Sequence, residues 1–144
     1  FILQKQNMKN EKIKVVAGLI PQNDKLLICQ RSNLKDHPLK WEFPGGKIKY
    51  QEKPYIALKR ELKEELKIDI IETNFLCSYN FDYIKLHKKI HLHFYLINKF
   101  IKKVENTVHK QLKWIEIKQL SNYDFLEGDH IIIDKLLKNE LKIH

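Results

Sequence analysis

Cysteine is scarce in this sequence: there are only two in 144 residues, Cys29 and Cys77, far apart and with no CxxC context. Each lies in an apolar run, so both are expected to be buried free thiols of a reducing compartment, with a disulfide the minor reading and a catalytic cysteine less favoured still. Glycine and proline number four each. There is no repeat, no Pro/Ser-rich linker and no low-complexity tract beyond scattered lysine. One domain around a single core is therefore expected, placed at residues 8–144, with residues 1–7 an extension of unclear origin. No apolar stretch reaches the length of a membrane span, and the N-terminal residues lack the apolar core of a signal peptide. A cytoplasmic protein with no membrane partner is the expectation.

Acidic residues are also in the minority. Eighteen Asp and Glu stand against 27 Lys and Arg, a formal charge of +9, which favours an anionic partner such as a nucleotide, a nucleic acid or an acidic membrane surface. Lysine is spread over the whole chain, however, with isoleucine and asparagine frequent beside it, so a compositional bias explains much of the charge. What is plentiful is apolar material, 43% of the chain with 10% aromatic, enough for a core.

Residues 14–20 and 25–31 read as two strands separated by Pro21-Gln22-Asn23-Asp24. Residues 33–40 are polar and contain Pro38, hence a loop, and residues 41–46 form a short extended piece ending in Gly45-Gly46. Residues 54–66 have helical spacing, with Ile56, Leu58, Leu62 and Leu66 apolar and Glu61, Glu64 and Glu65 on another face. Pro54 suits the first turn, where its missing N–H costs nothing. Long strands at 68–81 and 89–100 should form an antiparallel pair, followed by a strand at 111–117 and an amphipathic helix at 129–141. The expected fold is α/β, a mixed β-sheet sandwiched between α-helices.

The helix at 54–66 carries the most information. Glu61 is i,i+3 from Glu64 and i,i+4 from Glu65, and like charges at these spacings oppose a helix by a few tenths of a kcal/mol per pair. Arg60, i,i+4 from Glu64, offsets part of this. A divalent cation would offset far more, because Mg²⁺ takes carboxylate oxygens and substrate phosphates together. A solvated acidic face paired with Lys59, Lys63 and Lys67 is the competing reading of the helix alone.

The spacing around it narrows the choice. Gly46 is followed after five residues by Glu52 and after seven more by Arg60-Glu61-Leu62-Lys63-Glu64-Glu65-Leu66-Lys67-Ile68. This resembles the box of the Nudix hydrolases, Gly-x5-Glu-x7-Arg-Glu-U-x-Glu-Glu-x-Gly-U, with Lys67 alone departing from it where the family has Gly. That glycine ends the helix in a left-handed conformation, so Lys67 bears on stability and removes no ligand. Trp41 to Ile48, the segment 26–31 ending in Gln-Arg, and Ile90 to Tyr95 are similar to the MutT-like branch.

The resemblance implies a Nudix fold and a Mg²⁺-dependent pyrophosphohydrolase, with Mn²⁺ as the alternative ion, converting a nucleoside triphosphate and water to a monophosphate and pyrophosphate. An 8-oxo-dGTP diphosphatase is the leading expectation. Glu61, Glu64, Glu65 and the Gly45 carbonyl match metal ligands. Glu61 also matches the residue that orients or deprotonates water, while Arg60 and Glu52 match residues that organise the glutamates. Lys47 could reach a phosphate. Arg31, Phe43, Lys88 and Asp129 fall near base-pocket positions. Phe43 reads equally as core, and Asp129 equally as the N-cap of the last helix. Asp129 stands where the guanine-reading enzyme has Asn; an ionised Asp only accepts hydrogen bonds, so the difference fits either a protonated Asp or a base that presents a donor, which opens a cytosine-type preference for (d)CTP or 5-methyl-dCTP.

A further metal-binding Glu often precedes the strand that here holds Trp114, but Val108 occupies that position, beside His109. Either Glu105 substitutes for it or the ligand is missing. His91 and His93 share a strand face, and pocket-wall or core histidines are the favoured reading. A nucleotide- or RNA-binding module without activity is the competing class, disfavoured because a pure binder has no need of three clustered, repelling carboxylates. No stable nucleic-acid complex is expected, and the protein is expected to be a monomer or weak dimer.

Overall fold

The structure, a computed structural model, describes residues 12–143; the expectation for residues 1–7 lies outside them. Strand β1 (Lys12–Leu19) leads through the short β2 (Pro21–Gln22) into β3 (Lys25–Gln30). Asn23 and Asp24 make the turn, both at positive φ (51° and 64°), the pair of left-handed residues that a two-residue hairpin requires and that Asn and Asp tolerate. β4 (Trp41–Glu42) and β5 (Gly45–Lys47) precede helix α1 (Pro54–Leu66). The long strands β6 (Asp69–Tyr83) and β7 (Lys88–Ile101), then β8 (Gln111–Ile115), lead to the closing helix α2 (His130–Leu137).

The strands divide into two four-stranded sheets. One has the order β5-β1-β7-β6 and is mixed, since β1 runs parallel to β7 while β5 and β6 pair antiparallel with their neighbours. In the other, β3 is central, flanked by β8 on one side and by β2 and β4 on the other. Alternating side chains feed two cores, as the two-residue period of a strand dictates. Val16, Leu27 and Ile97 pack with Ala57, Leu58, Leu62 and Leu66 of α1. Ala17, Leu26, Ile28, Leu92 and Phe94 pack with Ile132, Ile133 and Leu136 of α2. The helices thus cover opposite faces, as expected.

Local differences have identifiable causes. Ile56 is 48% exposed and Ala57 is buried in its place, because the apolar stripe of α1 is centred on Leu58, Leu62 and Leu66, and Ile56 lies about 200° round the helix from Leu58. α2 ends at Leu137, short of residue 141, where Asn139 turns left-handed at φ 57°, a recognised helix stop. β8 stops at Ile115 because a capping box formed by Glu116 and Gln119 starts a 3₁₀ turn at Ile117. Both cysteines are free, and Cys77 is only partly buried.

Candidate active site

α1 begins on Pro54 without a side-chain cap and ends on Lys67, whose φ of 61° and ψ of 24° are left-handed. The departure from glycine at this position therefore leaves the backbone turn in place. Along the helix, Arg60 organises the carboxylates. Its Nε donates to Glu52 Oε2 at 2.9 Å, one terminal nitrogen donates to Glu52 Oε1 at 2.9 Å and to the Lys47 carbonyl at 3.1 Å, and the other donates to Glu61 Oε1 at 2.8 Å. Glu64 lies 3.8 Å from the same guanidinium and is largely exposed. The Glu52 carboxyl is held down to about 2, chiefly by its hydrogen bonds with Arg60. The Glu61 carboxyl moves the other way: burial raises it, and the charge of Glu65 adds to the rise.

Two glycines make room for this helix. A Cβ on Gly45 would fall 2.0 Å from the Val16 carbonyl oxygen of the paired strand β1, and one on Gly46 would fall 2.4 Å from Glu61 Cδ. The Gly45-Gly46 pair is thus sterically required where β5 passes between β1 and the Glu61 carboxylate.

A cavity of about 480 Å³ opens beside these elements. Gly45, Gly46, Lys47, Glu61 and Glu65 line one part of it, and Arg31, Glu42, Phe43, Lys88 and Asp129 also face it. All five residues expected to bind substrate are therefore on its wall, whereas Arg60, Glu52 and Glu64 are not among its lining. Arg31 is already engaged, pairing with Asp36 at 2.6 Å and Glu42 at 3.0 Å, so it shapes the wall. Phe43 is both core and wall: it packs on Phe94 and Phe125 while its ring borders the cavity.

Asp129 is 5% exposed and makes no side-chain cap bond to α2, despite standing at its N-cap position. The capping reading is therefore incorrect, and its carboxyl faces the cavity. Burial pushes that carboxyl up to about 8, the charge of Glu42 adding to the effect and a backbone hydrogen bond from Phe43 opposing it. The preceding residue is pinned: Tyr79 Oη donates to the Gly128 carbonyl at 2.6 Å, and the Gly128 N–H donates to Tyr83 Oη at 3.1 Å. Sequence reasoning missed both tyrosines, as well as His37, which packs on Tyr83 and lines the cavity. The i,i+4 spacing of Tyr79 and Tyr83 on one strand face was the available signal.

His91 and His93 do not line the cavity; their rings stack edge to face 4.5 Å apart, with His91 Nδ1 2.6 Å from Asn80 Oδ1. Glu105 is exposed, and its backbone N–H caps the Leu66 carbonyl at 2.9 Å.

Among the described residues, no three His, Cys, Asp or Glu side chains are already gathered into a metal cage. The donor set nevertheless fits a hard divalent cation. Glu61, Glu65 and the Gly45 backbone border the cavity together, and carboxylate and carbonyl oxygens are the ligands such ions prefer.

A mixed sheet between two helices, with a carboxylate helix packed against paired glycines at the edge of a cleft, defines a hydrolase of the Nudix type. The chain belongs to this family: the family model described as "NUDIX domain" matches residues 12–136. An 8-oxo-dGTP diphosphatase of Buchnera aphidicola subsp. Schizaphis graminum is 33% identical over 124 residues, covering 86% of this chain and 92% of the relative. A CTP pyrophosphohydrolase of Escherichia coli is 30% identical over 125 residues, covering 87% and 91%. The solution structure of the E. coli ORF135 protein superposes with a TM-score of 0.79 at 28% identity, covering 90% of this chain and 91% of that one. Nudix hydrolases generally use divalent metal ions. Among the described residues, no helix is long and apolar enough to cross a membrane.

Proposed function

We propose that residues 8–144 act as one catalytic unit that hydrolyses a nucleoside triphosphate to a monophosphate and pyrophosphate, with 8-oxo-dGTP as the leading substrate and Mg²⁺ as the ion. The observation carrying this reading is a single cavity bordered by Gly45, Glu61 and Glu65 and also by the buried Asp129 carboxyl. Glu61, Glu64, Glu65 and the Gly45 carbonyl would hold the cation, which when bound neutralises polyphosphate charge and makes phosphorus more electrophilic. Glu61 orients the attacking water and takes its proton, its carboxyl already raised by burial toward a working base. Arg60, anchored on Glu52, keeps Glu61 in place. Lys47 and Lys88 bring positive charge to the cavity wall, where they meet the phosphates. The free cysteines suit a reducing cytoplasm, and the enzyme works as a monomer or weak dimer without a stable nucleic-acid complex.

The second reading is a cytosine-type substrate, (d)CTP or 5-methyl-dCTP. It is favoured by the CTP pyrophosphohydrolase among the relatives and by Asp129, which faces the cavity and whose carboxyl, protonated at neutral pH because burial raises it to about 8, can donate to a ring nitrogen and accept from an exocyclic amino group. The test is a panel of 8-oxo-dGTP, dGTP, dCTP, 5-methyl-dCTP, ADP-ribose and diadenosine tetraphosphate with Mg²⁺, run on the native chain and on Glu61→Gln. Pyrophosphate with a monophosphate, lost in Glu61→Gln, supports the reaction, and the fastest substrate names the base. No turnover with Mg²⁺ or Mn²⁺ overturns it in favour of a non-catalytic binding module.

A further inference from the structure

The loop between β7 and β8 has no part in the reaction proposed above, yet it is docked closely on α1. The last carbonyls of a helix have no partners within it, and here the loop supplies them. Thr107 donates its N–H to the Glu65 carbonyl at 3.1 Å, and its hydroxyl lies 3.0 Å from that carbonyl and 2.9 Å from that of Glu64. The Asn106 side chain then clamps the backbone of His109, accepting from its N–H at 2.9 Å and donating to its carbonyl at 2.7 Å.

This arrangement places the His109 ring against the carboxylate helix. Nε2 lies 3.5 Å from Glu65 Oε2, with side-chain exposures of 4% and 12%. Both atoms are fully buried, and neither has a hydrogen-bond partner. A buried polar atom left unpaired costs about 1–3 kcal/mol, so two facing each other across one short gap call for a shared explanation. Glu65 lines the cavity and His109 does not, so the ring backs the carboxylate and does not itself border the cleft.

We propose that His109 is a positioning residue for Glu65: its Nε2–H donates to Oε2, fixing the carboxylate so that Oε1 is presented to the cation in the cavity. A small rotation of either side chain closes the bond. Carboxylates that bind metal are commonly held by such outer partners. The inference rests on the reading of Glu65 as a cation ligand.

The test uses the full chain without nucleotide and Mn²⁺ as the probe, with free Mn²⁺ measured by electron paramagnetic resonance. Native protein, Glu65→Gln, His109→Ala and His109→Gln are compared after thermal melting has established that each is folded. His109→Ala should weaken Mn²⁺ binding by about 10- to 100-fold, and His109→Gln, whose amide can donate the same bond, should recover most of it. Bound Mn²⁺ should show no imidazole nitrogen coupling in spin-echo spectra. Native affinity in His109→Ala, equal weakening in both His109 variants, or strong nitrogen coupling each overturns the positioning role. If Glu65→Gln binds Mn²⁺ as the native chain does, the Glu65 ligand reading itself fails and takes this inference with it.

Discussion

Arg60 and Glu52 form a two-pronged ion pair, with both hydrogen bonds at 2.9 Å, and the same guanidinium holds Glu61 at 2.8 Å. A planar guanidinium can grip two carboxylates at once, whereas a lysine ammonium cannot reproduce the fork. Arg60→Lys should therefore keep the charge and lose about 10- to 100-fold in kcat, measured by pyrophosphate release. An unchanged kcat would remove Arg60 from the organising role.

The same pair sets an acid response. The Glu52 carboxyl lies near 4.3 in an unfolded chain and is held to about 2 in the fold, mainly by Arg60. The unfolded state thus binds more protons between those values, and the stabilisation present at neutral pH is lost as pH falls through that window. Melting from pH 5 downward should show a shallower loss in Glu52→Gln than in the native chain, and identical slopes would contradict the assignment.

Asp129 has the opposite sign. Its carboxyl sits near 3.9 when unfolded, and burial raises it to about 8 in the fold, so the native state holds the extra proton between these values and stability falls as pH rises across them. Asp129→Asn should remove that slope, its melting temperature gaining on the native chain from about pH 5 to about pH 8. The variant should also alter the ratio of guanine to cytosine substrate turnover. A base preference untouched by the change would exclude Asp129 from base recognition.

Gly46 is constrained by Glu61, since an added Cβ would fall 2.4 Å from its carboxyl carbon. Gly46→Ala should displace Glu61 and lower kcat by about 100-fold, the effect expected for a misplacement near 1 Å. Far-ultraviolet circular dichroism should be unchanged. Full activity would show that Glu61 has freedom to move aside.

Lys67 occupies a left-handed helix end at φ 61°, which costs a non-glycine residue about 1 kcal/mol. Lys67→Gly should stabilise the protein by about 0.5–1 kcal/mol, since added freedom in the unfolded chain offsets part of the gain. Thermal melting should show a rise of a few degrees, with kcat unchanged. A lower melting temperature would mean that Lys67 makes compensating contacts.

The hydrophobic periodicity and the spacing from Gly46 to Ile68 were enough to read the helix-covered mixed sheet and the carboxylate helix, because both are local repeats of 2 and 3.6 residues. The place of Lys67 at the helix end was legible in the same spacing, whereas Gly45-Gly46, expected to close the extended piece in a turn, lies within β5 and pairs with β1. Other features depended on contacts between distant segments. Asp129 could be read as a helix cap or a pocket residue until Tyr79 and Tyr83, more than 40 positions earlier, were seen to hold Gly128. His109 stood beside a position that lacked an expected ligand, and only the docking of its loop on α1 brings it to Glu65. Sequence alone determined which residue types are available and how they are spaced along each element. Which side chains meet across elements was decided by tertiary packing, because the alternating faces of β1, β3 and β7 must each bury their apolar residues under a different helix, and that requirement sets where the loops between them come to rest.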